Sequence, residues 1–148
     1  MANDTHGEKG KPWIGFDLDG TLAEYNGWKG IDHIGKPIQR MCELVKKFHS
    51  DGRAVKILTA RVAPRKGDGT PAEARQHIEK WCEEHLGFVP PITHEKDSLM
   101  EYLYDDRVVQ VMPNTGIPIE AAAEELLQGK RGNQAKALAA YLAKKKDA

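Results

Sequence analysis

The chain is poor in cysteine, has no net charge and contains no long apolar run. Only two cysteines, Cys42 and Cys82, occur among its 148 residues. Both fall on the apolar faces of helical patterns, so they read as reduced core residues rather than a disulfide or metal pair. Lys plus Arg and Asp plus Glu each number 22. No global field therefore drives the chain onto nucleic acid or an anionic membrane, and any such contact must come from a local patch. No apolar run approaches the roughly 20 residues needed to cross a bilayer. The polar stretch Met1 to Lys11 lacks the apolar centre of a signal peptide. These absences lead us to expect a soluble, cytoplasmic protein of one domain over 11–148, with a flexible N-terminus over 1–10.

What the chain does have is Trp13-Ile14-Gly15-Phe16-Asp17-Leu18-Asp19-Gly20-Thr21-Leu22. Pro12 and Gly20 bound an apolar run that reads as a buried strand. It ends in two aspartates one residue apart, where Gly20 lets the backbone turn away. A carboxylate pair is thereby placed at the carboxyl edge of a sheet, where open α/β sheets bind their ligands.

The segment from Ala23 to Gly35 reads as a loop leaving directly from that edge. Tyr25, Trp28, Lys29 and His33 are candidates for the site entrance, or for an ordinary surface turn. Ile38, Met41, Cys42, Val45 and Phe48 then follow helical spacing, with Pro37 at the start and Asp51-Gly52 at the end. Ala54 to Thr59 is a second strand. A right-handed β-helix-β unit brings Thr59 to the same edge as Asp17, where its hydroxyl can donate to a phosphate oxygen. The basic loop after it carries Arg61, Arg65 and Lys66. Thr70, Pro71 and Glu73 signal the start of a second helix, and Gly87 its stop. His77 and His85 read as helix-face residues, without the partners a metal site needs.

Phe88 to Thr93 gives a short third strand, limited by Pro90-Pro91. Tyr102-Leu103-Tyr104 then runs into Asp105-Asp106, and Val108 to Met112 is a further strand. Two strands thus end in carboxylate pairs. Clustered carboxylates repel unless a cation or hydrogen-bond donors compensate, and all-oxygen ligation favours Mg²⁺ over zinc. Helices over Pro118 to Gln128 and Gln134 to Lys146 form the tail, the last packing back on the sheet, offering a contact to a second subunit, or fraying.

Asp17/Asp19 with Gly20-Thr21, then Thr59, Lys96 and Asp105/Asp106, resemble the motifs of the haloacid dehalogenase superfamily of phosphatases over roughly Lys11 to Pro113. The resemblance implies an α/β, Rossmann-like three-layer fold with a mainly parallel sheet of about five strands in the order 5-4-1-2-3. It implies no cap domain, because neither cap insertion point has room. Capless relatives either borrow a neighbouring subunit as a lid or work on large substrates in an open site. By the same resemblance, Asp17 is the nucleophile, Asp19 the acid/base, and Thr59 and Lys96 hold the phosphoryl group. Mg²⁺ is held by Asp17, the Asp19 carbonyl and Asp105, with Asp106 behind them. In the family the lysine sits further ahead of the acidic pair, so Lys80 is the alternative to Lys96.

The expected activity is Mg²⁺-dependent phosphomonoester hydrolysis on a phosphorylated small molecule or a nucleic-acid end. Gly20, Arg61, Arg65, Lys66 and Trp28 are the substrate-binding candidates, the tryptophan by stacking on a base. The competing expectation is a catalytically idle module that binds metal or a partner through the same fold.

Overall fold

The computed structural model describes residues 10–146. The expected flexible N-terminus lies, up to residue 9, outside them. The chain divides into two compact units, one ending at Asp106 and the other beginning at Arg107.

The first unit is built on a parallel sheet. Its strands are β1 (Trp13–Phe16), β2 (Ala54–Leu58), β3 (Ile92–Thr93) and β4 (Met100–Tyr104), and its helices are α1 (Gln39–Ser50) and α2 (Pro71–Leu86). The order across the sheet is β3-β2-β1-β4, with every pairing parallel. This is a Rossmann-like α/β arrangement, with the strand carrying Asp17 in the interior. Side chains alternate along a strand, and Ile14, Phe16, Val55 and Ile57 point to one face, in one core with Cys42, Val45, Ile78, Trp81 and Cys82 of the two helices. Phe16 stacks on Tyr104 at 4.8 Å between ring centroids, which ties the two strands that end in carboxylates. Both cysteines are buried and free, as their helical positions suggest. Burial pushes the Cys82 thiol up to about 12, so it packs as an unreactive apolar group.

The α2 signals act as read. The Thr70 hydroxyl accepts from the Glu73 amide at 3.2 Å while the Glu73 carboxylate accepts from the Thr70 amide at 2.9 Å. Gly87 ends the helix in the left-handed conformation.

Two expectations for the sheet need correction. Among the described residues it has four strands rather than about five, and its order stops at β4. The expected fifth strand, Val108 to Met112, forms no strand in the structure. Its backbone finds a local partner instead: the Met112 amide donates to Ile117 and the Ile119 amide to Gln110, at 2.9 and 2.8 Å. Strand propensity is only a tendency to pair, and a nearby antiparallel partner meets it without the sheet. Both helices of this unit lie on one face of the sheet. The return from β3 to β4 contains no helix.

That return is short. Thr93 ends β3 at the carboxyl edge, and Met100 pairs with Trp13 at the amino edge. The path spans three strand spacings, ~14 Å, and descends a strand length, ~13 Å. Seven residue steps reach at most roughly 25 Å. The segment has little slack, turns where the Met100 amide donates to the Asp97 carbonyl at 3.2 Å, and crosses the face opposite the helices. There the Trp13 indole donates to Asp97 at 2.8 Å, and the Lys56 ammonium sits 4.8 Å from the indole ring.

The second unit comprises α3 (Ile119–Leu127) and α4 (Asn133–Lys146) with the turn before them. Met112, Ala122 and Leu138 form its own small core, flanked by Ile117, Ile119 and Tyr141. No helix among the described residues is long and apolar enough to cross a membrane.

Candidate functional site

Asp17 and Asp105 each stand one residue past the end of their strand, on adjacent strands and at the same level, because Phe16 pairs with Tyr104. The Asp17 amide still belongs to the ladder, donating to the Tyr104 carbonyl at 2.9 Å. Asp106 follows at once. Asp17, Asp105 and Asp106 each offer an oxygen, and these oxygens lie within 4.8 Å of one another. The sheet, not a flexible loop, fixes the cluster.

The turn from Leu18 to Ala23 closes over it. The Leu18 carbonyl accepts from the amides of Thr21, Leu22 and Ala23. Gly20 has φ +89°, and a methyl group there would collide with the Asp106 carboxylate. Glycine is thus required twice, for backbone conformation and for the approach of the second strand's acid. Thr21, which the sequence reading left as a bare motif letter, is the hinge between the two carboxylate pairs. Its hydroxyl oxygen accepts from the Asp106 amide at 3.1 Å and lies 3.4 Å from an Asp17 oxygen and 3.3 Å from an Asp106 oxygen. One hydroxyl proton cannot satisfy both carboxylates.

The electrostatic consequence falls on Asp17. Burial first, then the Asp105 carboxylate, then Asp106 raise its carboxyl to about 7. A hydrogen bond from the Leu18 amide opposes this and is outweighed. A divalent cation among these oxygens would reverse the repulsion. Three carboxylates and no thiolate or imidazole suit a hard ion such as Mg²⁺.

Asp19 is placed differently. It does not join the acidic cluster but forms a two-point ion pair with Arg61, at 2.7 and 2.8 Å. The arginine side chain is 5% exposed. Two further N–H groups donate to the carbonyls of Ile31 and His33, at 3.4 and 2.9 Å. Trp28 lies over it at 4.8 Å, and the Arg65 guanidinium lies 5.5 Å from the same ring. The Trp28 nitrogen donates to Asp68 at 2.6 Å. Three of the substrate-binding candidates, Trp28, Arg61 and Arg65, are therefore engaged with one another. They clasp the loop after β1 to the loop after β2.

Thr59 stands one residue past β2, level with Leu18, and is buried. Its oxygen accepts from the Arg61 amide and caps the short 3₁₀ turn Ala60–Val62, leaving its proton to donate elsewhere. Lys66 is exposed. Lys96 lies on the return from β3 to β4 beside Asp97, is exposed, and forms no hydrogen bond or ion pair among the described residues. Lys80 is exposed on α2. Neither lysine is gathered into the cluster.

A pocket of about 190 Å³ adjoins Asp19 and Arg61. The loop from Glu24 to Lys36 supplies the rest of its wall, including Tyr25, Lys29, His33 and Lys36. The fold and the site together define an α/β protein with an acidic cluster at the carboxyl edge of a parallel sheet. No family model matches the chain, and no curated protein matches it. Among solved structures it is similar to a conserved protein from Bacteroides thetaiotaomicron, at 20% identity over 82% of this chain and 93% of that one, with a TM-score of 0.46. That likeness assigns no function to the chain.

Proposed function

We propose that the chain is a Mg²⁺-dependent phosphomonoester hydrolase of the capless haloacid dehalogenase type, with Asp17 as nucleophile. The reading rests above all on one observation. Three carboxylates from two neighbouring strand ends lie within 4.8 Å of one another, and the carboxyl of half-buried Asp17 is pushed up to about 7. Asp17, Asp105 and Asp106 would hold the ion, which supplies positive charge against nucleophile and phosphate alike. An Asp17 oxygen attacks phosphorus as the bond to the ester oxygen breaks, the alcohol departs with a proton from Asp19 or solvent, and water then cleaves the aspartyl-phosphate to release inorganic phosphate and free Asp17. Thr59 donates its hydroxyl proton to a phosphoryl oxygen; neither Lys96 nor Lys80 stands at the cluster, so the bound ion would carry the balancing charge.

The Arg61–Asp19 pair favours a second reading. Both oxygens of the intended acid/base are taken, as befits an idle module that binds a divalent ion without turnover. Phosphate release from aryl and alkyl phosphates, with Mg²⁺ and with chelator, separates the two. Mg²⁺-dependent release that Asp17→Asn abolishes supports the enzyme. Ion binding without release by pure wild-type protein supports the module.

A further inference from the structure

The pocket beside Asp19 has a construction that the carboxylate cluster does not explain. The loop that walls it is pinned at its base. The Glu24 amide donates to the Lys36 carbonyl at 2.8 Å, the Ile38 amide donates to Leu22 at 2.7 Å, and Ala23 bridges Pro37. A methyl group on Gly35 would run into the Glu24 carbonyl, so the two sides of the loop meet there backbone to backbone. Arg61 holds the loop from below through the carbonyls of Ile31 and His33. The pocket is thus a built feature, fastened to the site through Asp19.

Charge in its wall is unevenly committed. Arg61 and Asp19 neutralise each other. Glu24 is the other acid, against Lys29 and Lys36, and neither lysine forms an ion pair among the described residues. Glu24 is equally unpaired, so these three side chains leave the wall with a net single positive charge. The volume, about 190 Å³, lies below the roughly 300–1,000 Å³ of sites that enclose drug-sized ligands. Trp28, the residue best suited to stack on a base, already carries two guanidinium groups. The space therefore suits a small anionic group better than a nucleoside.

We propose that this pocket receives the leaving group of the substrate, and that this group is compact and bears a second anionic function, a carboxylate or phosphate, held by Lys29 and Lys36. The proposal rests on the phosphatase reading for the words "leaving group", but the pocket's preference is measurable without turnover. Lysine ammonium groups attract such an anion as exposed point charges, so the preference should weaken as salt rises.

The test is calorimetric titration of the Asp17→Asn protein, in Mg²⁺, with phosphoglycolate and with ethyl phosphate. The two ligands are similar in size, and phosphoglycolate carries the extra carboxylate. Phosphoglycolate should bind about tenfold more tightly, and the added substitutions Lys29→Ala and Lys36→Ala should erase the difference. Equal affinity for the two ligands, no binding of either, or a preference that survives loss of both lysines would overturn the proposal. If the preference is present but wild-type protein hydrolyses no phosphoester, the phosphatase reading falls and the anion pocket stands.

Discussion

Arg61 grips both oxygens of Asp19, at 2.7 and 2.8 Å, from a position where only 5% of the arginine remains exposed. The pair joins the first strand's turn to the second strand's exit, 42 residues apart in sequence. Two ideas depend on it. As a structural element it anchors the Glu24 to Lys36 loop. As chemistry it occupies the residue that would otherwise move a proton.

Removing one partner of a buried ion pair leaves the other uncompensated and costs about 3–5 kcal/mol. Arg61→Ala should therefore destabilise the protein strongly in urea unfolding, within that range. Asp19→Ala should do likewise, because the guanidinium is the more buried partner. The double variant should recover a substantial part of the sum, since it strands neither charge. Additive losses would mean that the two residues act independently.

Asp17 makes stability depend on pH in a definite direction. Its carboxyl rises from 3.8 to about 7 in the folded protein, chiefly through burial. The folded chain then holds a proton that the unfolded chain releases. The stability tied to that proton is complete below pH 4 and is lost as pH rises through 7. Without divalent ions, thermal unfolding should show lower stability at pH 8 than at pH 5.5 from this group. Asp17→Asn should remove that part of the slope. Mg²⁺ should raise the melting temperature most at pH 8 and least at pH 5.5, because Asp17 must give up its proton to bind the ion. A Mg²⁺ effect independent of pH would count against Asp17 as a ligand.

Gly20→Ala tests the closure of the cluster. The substitution forces a side chain into φ +89° and drives a methyl group at the Asp106 carboxylate. The backbone strain alone is about 1 kcal/mol, and displacement of Asp106 adds to it. The expected result is a modest loss of stability together with a large loss of Mg²⁺-induced stabilisation. A full Mg²⁺ response in this variant would show that Asp106 contributes nothing to ion binding.

Much of this was legible in the sequence, for identifiable reasons. The strand ending at Asp17 and the start of α2 at Thr70 were set by local signals: an apolar run between Pro12 and Gly20, and the reciprocal bonds of Thr70 and Glu73. The meeting of the carboxylates followed from strand topology, since parallel neighbours end at the same edge. What stayed hidden was pairing. Arg61, Arg65 and Trp28 have the composition of a substrate-binding loop, and nothing in their spacing says that they bind one another. Val108 to Met112 has strand composition, and only the fold shows that residues 117–119 pair with it locally. The role of Thr21 between Asp17 and Asp106 depends on a contact 85 residues away in sequence.

The last prediction separates the proton from the nucleophile. A general acid needs an oxygen that can carry a proton to the leaving group, and both Asp19 oxygens accept bonds from Arg61. Turnover of alkyl phosphates therefore requires Asp19 to release Arg61, whereas aryl leaving groups depart with little protonation. Wild-type protein should prefer aryl phosphates. Asp19→Asn should lower kcat/KM on an alkyl phosphate by the 10²–10⁴-fold typical of lost acid catalysis, and on an aryl phosphate by clearly less. Asp17→Asn should abolish both activities. The measurement is kcat/KM for a matched alkyl and aryl pair across these variants. If Asp19→Asn lowers the two equally, Asp19 serves the fold and the loop rather than the proton, and the Arg61 pair is its whole function.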